Sequence, residues 1–195
     1  MVKKTIYPDY QFIKEVERFG PFQAEACYQC GKCTNGCPVT FAMDLFPDEL
    51  IRMVLLGQRE RVLGSKTIWV CSACETCTTR CPNEVMVAEL MDCLKEMAIQ
   101  GQIDCPQPQI LTLHETFLRN VKTHGRVFEA TFLPTYLFRS GQIVRKWREG
   151  TWQAEVKLGW ELFSKGRISL LPRKNKGIKG IRQILTSSKQ REKAS

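Results

Sequence analysis

The feature that most constrains this chain is a run of four cysteines that occurs twice. The first copy, C-Y-Q-C-G-K-C-T-N-G-C-P, spans residues 27–38, and the second, C-S-A-C-E-T-C-T-T-R-C-P, spans residues 71–82. Corresponding cysteines are 44 residues apart, and both copies end in proline. Two copies are too few for a solenoid. The repeat therefore predicts a pair of related sites inside one domain.

The cysteines indicate metal or redox chemistry, because we expect this chain to be cytoplasmic. Its N-terminus has two lysines but no apolar segment after them, so it does not resemble a secretory signal. The longest apolar runs are too short to span a bilayer. Eight of the ten cysteines lie in the two runs, and in a reducing compartment such clusters are rarely disulfides.

The spacing C-x2-C-x2-C-x3-C-P is typical of a [4Fe–4S] cluster in bacterial ferredoxins. Three closely spaced thiolates bind three corners of the cluster, and in two-cluster proteins the fourth cysteine ligates the other cluster. We therefore predict two clusters with crossed ligation. The first is assigned to Cys27, Cys30, Cys33 and Cys81, and the second to Cys71, Cys74, Cys77 and Cys37.

Residues of special conformation inside the runs are predicted to contact the clusters. Gly31 and Gly36 would let backbone N–H groups approach cluster sulfurs, and such hydrogen bonds influence the reduction potential. Pro38 and Pro82 turn the chain without leaving an unpaired N–H. Four hydrophobic residues beside the runs either exclude water from the clusters or belong to an ordinary core: Phe41, Met43, Trp69 and Val70.

Other interpretations of the cysteines are less consistent with the spacing. Structural zinc is often held by two C-x2-C pairs, but zinc has no use for the third cysteine or the terminal C-P. Cys93 lies on an apolar helical face and is expected to be a buried small hydrophobe, whereas Cys105 precedes proline and could be exposed. His114 and His124 are far from any cysteine in sequence and are expected to be structural.

Hydrophobic periodicity predicts an all-α fold. Helices are expected over residues 9–20, 47–56 and 109–123, around residues 61–63, and from Pro82 to Gly101. Residues 126–164 are predicted to form aromatic-rich helical segments that are interrupted at Pro134, Gly141 and Gly150.

The insert between the cysteine runs supports a resemblance to the α-helical ferredoxin type. That type occurs in iron–sulfur subunits of succinate dehydrogenase, fumarate reductase and glycolate oxidase, and the chain most resembles the C subunit of heterodisulfide reductases. The resemblance is carried by C-Y-Q-C-G-K-C-T-N-G-C-P-V, the insert F-P-D-E-L-I-R-M-V-L-L-G, W-V-C-S-A-C-E-T-C-T-T-R-C-P and the later H-G-R-V-F-E. It is strong over residues 20–101 and thins after residue 125.

The resemblance implies an electron-transfer subunit with two [4Fe–4S] clusters. Its expected partners are a flavin-bearing A-like subunit and a cysteine-rich, catalytic B-like subunit, with membrane association only through a partner and no nucleic acid. An iron–sulfur subunit of another dehydrogenase, such as a succinate, glycolate or glycerol-3-phosphate dehydrogenase, is the alternative. The chain has no dinucleotide or Walker motif and no set of catalytic side chains, so we expect no substrate-converting site of its own.

The predicted domain organisation has four parts: an N-terminal helix (1–20), the α-helical ferredoxin domain with two [4Fe–4S] clusters (21–105), a helical extension for partner packing (106–164) and a basic tail (165–195). The net charge is +9, and the tail holds ten Lys/Arg against one acidic residue. The tail is expected to be extended or weakly helical. It would be a solvated end or would bind a partner's acidic face or an anionic membrane surface, with nucleic acid ranked last. Six apolar anchors would support docking: Ile168, Leu170, Leu171, Ile178, Ile181 and Ile184.

Overall fold

The computed structural model describes residues 7–167, 172, 175 and 177–194, without the side chains of residues 154, 155 and 188–194. Within these residues the regular structure is helical and contains no strand, which confirms the predicted all-α class. The α-helices are α1 (Tyr10–Phe19), α2 (Lys32–Asn35), α3 (Pro47–Leu55), α4 (Arg59–Leu63), α5 (Lys66–Val70), α6 (Thr76–Arg80), α7 (Val87–Gln100), α8 (Pro108–His124), α9 (Glu129–Arg139), α10 (Gln142–Arg148), α11 (Trp152–Ser164) and α12 (Ile178–Ala194). Short 3₁₀ turns occupy Ala24–Ala26 and Thr40–Ala42.

The chain divides into two compact units, residues 1–107 and residues 108–195. In the first unit α7 is the central helix, and α1, α4, α5 and α6 all pack against it. The side chains of Leu90, Met91 and Leu94 on α7 are almost completely buried. Phe12 and Val16 of α1 are also buried, so the predicted N-terminal helix belongs to the core of this unit.

Local sequence signals explain where the helices of the first unit begin and end. The carboxylate of Asp9 accepts a hydrogen bond from the N–H of Gln11 at 2.9 Å and caps α1. Pro47 occupies the first position of α3, where its missing N–H costs nothing. Gly101 ends α7. The helices expected over residues 9–20, 47–56, around 61–63 and before Gly101 are thereby confirmed.

Two details of secondary structure differ from the prediction. The segment before Cys71 forms α5, a short helix whose start is capped by the side chain of Ser65. Pro134 was expected to interrupt a helix, but that prediction is wrong because it lies inside α9. A proline there removes one backbone hydrogen bond, and packing of α9 against α8, including an edge-to-face contact between Phe117 and Phe132, opposes that loss.

The second unit is built on a hairpin of α8 and α9. The buried amide of Asn120 links them: its Oδ1 accepts from the N–H of Phe128 at 2.7 Å, and its Nδ2 donates to Thr131 Oγ1 at 2.9 Å. Arg182 of α12 donates to the carbonyl oxygens of Lys122 and Thr123 at 3.0 and 3.1 Å. A basic side chain thus satisfies the C-terminal carbonyls of α8.

The basic tail therefore contains a helix that packs on α8, where the sequence predicted extended chain or a weak helix. Among its predicted anchors, Ile178 and Ile181 are half-buried and Ile184 is exposed. Ile168, Leu170 and Leu171 lie outside the described residues. None of the helices described here is long and apolar enough to span a membrane.

Candidate metal centre

Four cysteines from both runs line one cavity of the first unit. Its wall contains three thiols of the first run and the last thiol of the second run, namely Cys27, Cys30, Cys33 and Cys81. Gly31 and Pro82, both predicted to contact a cofactor, also line it. The cavity is partly open to solvent, and its space between atoms is about 350 Å³ when the solvent space at its mouth is included.

A second cavity repeats this arrangement with the roles of the runs exchanged. Three thiols of the second run and the last thiol of the first run line it, namely Cys71, Cys74, Cys77 and Cys37. Its space between atoms, counted in the same way, is also about 350 Å³. The eight cysteines of the two runs are therefore divided four and four, with one cysteine of each run at the opposite cavity.

Hydrogen bonds between segments that are distant in sequence hold Cys81 beside the first cavity. The side-chain amide of Asn83 donates to the carbonyl oxygen of Ala26, the residue before Cys27. The N–H of Met86 donates to the carbonyl oxygen of Phe22 at 3.1 Å. These contacts tie the end of the second run to the entrance of the first.

The backbone conformation of the first cysteine run is repeated in the second. Gln29 and Ala73 have φ values of 61° and 50°, and Gly31 and Glu75 have φ values of 71° and 60°. Each pair is separated by the repeat length, and Gly31 and Glu75 directly precede the short helices α2 and α6. The second run therefore places alanine and glutamate in the left-handed region that usually favours glycine, so both runs trace the same path past their cysteines.

A threonine in each run anchors the cavity wall to a long helix. In the first run, the N–H of Asp48 donates to Thr34 Oγ1 at 3.4 Å, and the Thr34 hydroxyl donates to the Asp48 carboxylate. In the second run, the N–H of Ala88 donates to Thr78 Oγ1 at 3.1 Å, and the Thr78 hydroxyl donates to Glu89 at 3.1 Å.

These two threonine contacts place the first turns of α3 and α7 beside the thiols. Asp48 and Val87 line the first cavity, whereas Pro47 and Ala88 line the second. The first turns of both helices thus contribute to both cavities. The positive end of a helix dipole favours negative charge nearby, as four thiolates around a cluster would supply.

A carboxylate joins the loop after the first run to the helix before the second. Asp44 accepts from the hydroxyl of Ser65 at 2.6 Å and from the N–H groups of Lys66 and Thr67 at 2.9 and 3.1 Å. Burial alone would raise the pKa of Asp44, but these hydrogen bonds outweigh it and lower that pKa to about 2. Nothing in the sequence analysis predicted this contact.

The thiols of the cavities differ in their surroundings. Burial raises the pKa of Cys33 and Cys71, and it raises the pKa of Cys77 to about 11. A hydrogen bond with the side chain of Thr76 lowers the pKa of the exposed Cys74. Desolvation disfavours a buried thiolate, and a bound cation would supply compensating positive charge.

Two donors already reach thiol sulfurs of the first cavity. The Gln29 side-chain amide donates to Cys27 Sγ at 3.3 Å, and the N–H of Val85 donates to Cys81 Sγ at 3.3 Å. In the part of the chain that the structure describes, no three His, Cys, Asp or Glu side chains converge on a point that would suit a single metal ion. A [4Fe–4S] cluster does not require this convergence, because each cysteine binds a different iron.

The other residues that the sequence analysis considered near the clusters do not all line the two cavities. Gly36 and Pro38 are not among the residues that line the two cavities described here, and a side chain at Gly36 would collide with Arg80. Of the residues considered for water exclusion, Met43 lines the second cavity, Trp69 is buried in the core, and Phe41 is 87% exposed.

Basic side chains and the remaining cysteines also have defined positions. Lys32 lines the first cavity. Cys93 is buried on α7, as predicted, and burial raises the pKa of its thiol to about 12. Cys105 is half-buried, and His124 contacts the carbonyl oxygen of Asn120 and the ring of Phe128.

Sequence comparisons agree with this site. Residues 23–85 match the family model of the 4Fe-4S dicluster domain. The chain is 42% identical over 76 residues to an iron-sulfur C subunit of the CoB–CoM heterodisulfide reductase of Methanocaldococcus jannaschii, over 39% of this chain and 40% of the relative. It is 26% identical over 98 residues to the C subunit of the H2:CoB-CoM heterodisulfide, ferredoxin reductase of Methanothermobacter marburgensis, covering 50% and 53%.

A third relative, from Archaeoglobus profundus, is named as a protein like the C subunit of heterodisulfide reductase. It is 31% identical over 83 residues, or 42% of this chain and 44% of the relative. The chain thus spans about half the length, or somewhat less, of the curated relatives it matches. The helical fold, the divided cysteines and the matched segment show that residues 23–85 resemble the class of 4Fe-4S dicluster domains. Within that class, the predicted resemblance to the C subunit of heterodisulfide reductases is confirmed.

Proposed function

We propose that this chain is a two-cluster electron relay with crossed cysteine ligation. Cys27, Cys30, Cys33 and Cys81 would hold one [4Fe–4S] cluster, and Cys71, Cys74, Cys77 and Cys37 would hold the other. Each cluster supplies a site that accepts and releases one electron. The observation that carries the proposal is the division of the eight thiols between two cavities, three from one run and one from the other in each.

The surrounding residues have defined roles in this proposal. The first turns of α3 and α7 line both cavities, which supports clusters close enough for electrons to pass between them. Gln29 and the N–H of Val85 stabilise thiolate charge at the first cluster, and Gly31 and Pro82 form part of its wall. Gly36 and Pro38 would shape the chain around Cys37, since Gly36 leaves room for Arg80.

The proposed setting is a heterodisulfide reductase-like complex in the cytoplasm. Relatives named as the C subunit of heterodisulfide reductases support this setting. The chain would pass electrons between a flavin-bearing A-like subunit and a cysteine-rich, catalytic B-like subunit, without converting a substrate itself. Residues 21–105 would form the cluster domain, with residues 106–164 and 165–195 as the extension and basic tail.

Paired cysteine variants test the crossed ligation. In anaerobically purified protein, Cys81→Ser is expected to remove the same electron paramagnetic resonance signal as Cys30→Ser, and Cys37→Ser the same signal as Cys74→Ser. Cys105→Ser is the control and should keep both signals. If Cys81→Ser instead removed the signal lost in Cys74→Ser, the ligation would be uncrossed.

Metal analysis and co-purification test the rest of the proposal. The intact protein should contain about eight iron and about eight sulfide per chain, as two [4Fe–4S] clusters require. Zinc in place of iron and sulfide would refute the cluster assignment. Purification from the native host should yield a flavoprotein and a cysteine-rich chain, and a different set of co-eluting subunits would favour another dehydrogenase.

A further inference from the structure

Two helices of the second unit present a hydrophobic surface that no described residue covers. Eight apolar side chains on α10 and α11 are each at least 41% exposed, and seven of them share one side of their helix, whereas Leu158 does not. We call these seven the aromatic face: Ile143, Val144, Trp147, Trp152, Val156, Trp160 and Phe163. Trp147 is 75% exposed and Trp160 is 70% exposed. Together with Trp152, they are three of the chain's four tryptophans.

Helical spacing gathers these residues on one side of each helix. On α11, Trp152, Val156 and Trp160 follow each other at intervals of four residues, and Phe163 lies beside Trp160 with ring centroids 6.1 Å apart. The charged residues Lys157 and Glu161 fall on the opposite side of the helix by the same periodicity. The aromatic face is therefore the more apolar side of each helix, and Leu158 is the one exposed large apolar side chain on the other side of α11 among the described residues.

Positive charge surrounds the aromatic face. Residues 139–167 contain seven Lys/Arg and three Glu. On α10, Arg145 and Arg148 alternate with the apolar residues and are exposed. Lys165 and Arg167 extend the positive charge past the end of α11.

We propose that the aromatic face and its basic flank bind the surface of a membrane that contains anionic phospholipid. Tryptophan favours the boundary between headgroups and acyl chains. Lysine and arginine next to such a helix are attracted to anionic lipid. Helices with these two features lie in the plane of the interface without crossing it.

The charge balance favours lipid over a protein partner as the occupant. The sequence predicted partner packing for residues 106–164, with membrane association only through another subunit. Protein interfaces are depleted in lysine, whereas residues 139–167 have a net excess of four basic residues and include three lysines, Lys146, Lys157 and Lys165. The inference does not depend on the proposed electron relay, because every residue it uses lies outside the cysteine cavities.

Vesicle flotation tests the proposal with the anaerobically purified, cluster-loaded full chain. We expect the protein to float with vesicles of equal parts phosphatidylcholine and phosphatidylglycerol, and to float little with phosphatidylcholine alone. Binding to the anionic vesicles should weaken as the salt concentration is raised. Trp147→Ser with Trp160→Ser should weaken binding at least ~10-fold, since each indole leaves the interface. Arg145→Gln with Arg148→Gln should weaken it by about fivefold per charge removed.

Tyr10→Ser, which changes a residue 71% exposed on α1, is the matched control and should bind vesicles normally. Iron content and helical circular dichroism should remain unchanged in every variant, which separates this test from failure of the relay. Equal affinity for both vesicles, no binding, or normal binding by the tryptophan variant would overturn the proposal. Protection of Trp147 and Trp160 from hydroxyl-radical labelling by co-purified subunits, without lipid, would assign the surface to a protein partner and also overturn it.

Discussion

At the residue scale, two threonines connect the cysteine runs to the helices behind them. Thr78 satisfies the N–H of Ala88 and donates to Glu89. Thr78→Val keeps the shape of the side chain but leaves both partners unpaired. We expect the free energy of unfolding to fall by about 1–3 kcal/mol, measured by anaerobic urea denaturation of the cluster-loaded protein.

The adjacent residue supplies the control for this prediction. Thr79 is exposed, and its hydroxyl donates to the carbonyl oxygen of Glu75, the residue that precedes α6. Thr79→Val should therefore change stability by less than about 0.5 kcal/mol. Thr34→Val should resemble Thr78→Val, because Thr34 makes the equivalent contacts with Asp48. Equal effects at positions 78 and 79 would show that the threonine contact does not stabilise the fold.

The amide of Gln29 provides a prediction for the redox properties of the site. Its Nε2 donates to Cys27 Sγ, and a donor to a ligating sulfur stabilises the more negative, reduced state. Gln29→Met retains the length of the side chain and removes the donor. The reduction potential of one cluster should fall by about 20–60 mV, as measured by anaerobic redox titration.

A second glutamine provides the control for effects of backbone strain. Gln102 is exposed and also has positive φ, at 50°, so Gln102→Met makes the same chemical change in a similar conformation. Both potentials should stay at wild-type values in this variant. The hypothesis of a specific hydrogen bond from Gln29 to a ligand of the first cluster would be contradicted if Gln29→Met shifted the reduction potentials of both clusters or of neither.

At the element scale, Asp44 links the loop after the first run to the start of α5. Because hydrogen bonds lower the pKa of its carboxyl to about 2, below its ordinary value of about 3.9, its contribution to stability is full above pH ~4. That contribution is lost only as the pH falls from about 4 towards 2.

Asp44→Asn should therefore lower the free energy of unfolding by the same amount throughout the range from about pH 8 to about pH 5.5. The carboxylate is exposed, so solvent screening reduces the expected loss to about 1 kcal/mol. Anaerobic urea denaturation at several pH values measures it, with Glu17→Gln on the exposed side of α1 as the control. A difference that disappeared above pH ~5.5 would contradict the low pKa.

Comparison of the elements shows what local sequence can predict. The helices with clear starts and stops, such as those at Pro47 and before Gly101, could be predicted because their signals are local. Helix α5 could not, because its apolar residues Ile68, Trp69 and Val70 are consecutive and show no helical period. Pro134 misled the prediction because tertiary packing of α9 on α8 outweighs a local penalty.

The grouping of the cysteines was easier to predict from the sequence than the hydrogen bonds that position them. The spacing of the thiols implied which of them would be neighbours, and the cavities group them in that way. The contacts of Asp44 with Ser65 and of Asn83 with Ala26 join residues that are 21 and 57 positions apart. Their pairing has no periodic pattern in the sequence, although the repeat of Thr34 and Thr78 was visible in it.

At the scale of the whole molecule, the two units differ in how they depend on metal. All ten cysteines precede residue 108, so the second unit contains no thiol. Its helices α8, α9 and α12 are connected by Asn120 and Arg182. The first unit instead places short segments such as α2 and α6 around the two cavities, where bound clusters would join residues as distant as Cys27 and Cys81.

Removal of iron should therefore unfold the first unit and spare the second. Ligand bonds are coupled to folding where a site is absent from the unfolded chain, and crossed ligation would cross-link the two runs, whose helices α2 and α6 pack against α3 and α7. After anaerobic treatment with an iron chelator and ferricyanide, backbone amides of α3 and α7 should lose protection from hydrogen exchange, while those of α8 and α9 keep it. Equal loss of protection in α7 and α8 would contradict this prediction, and unchanged protection in α7 would show that the clusters do not cross-link the fold.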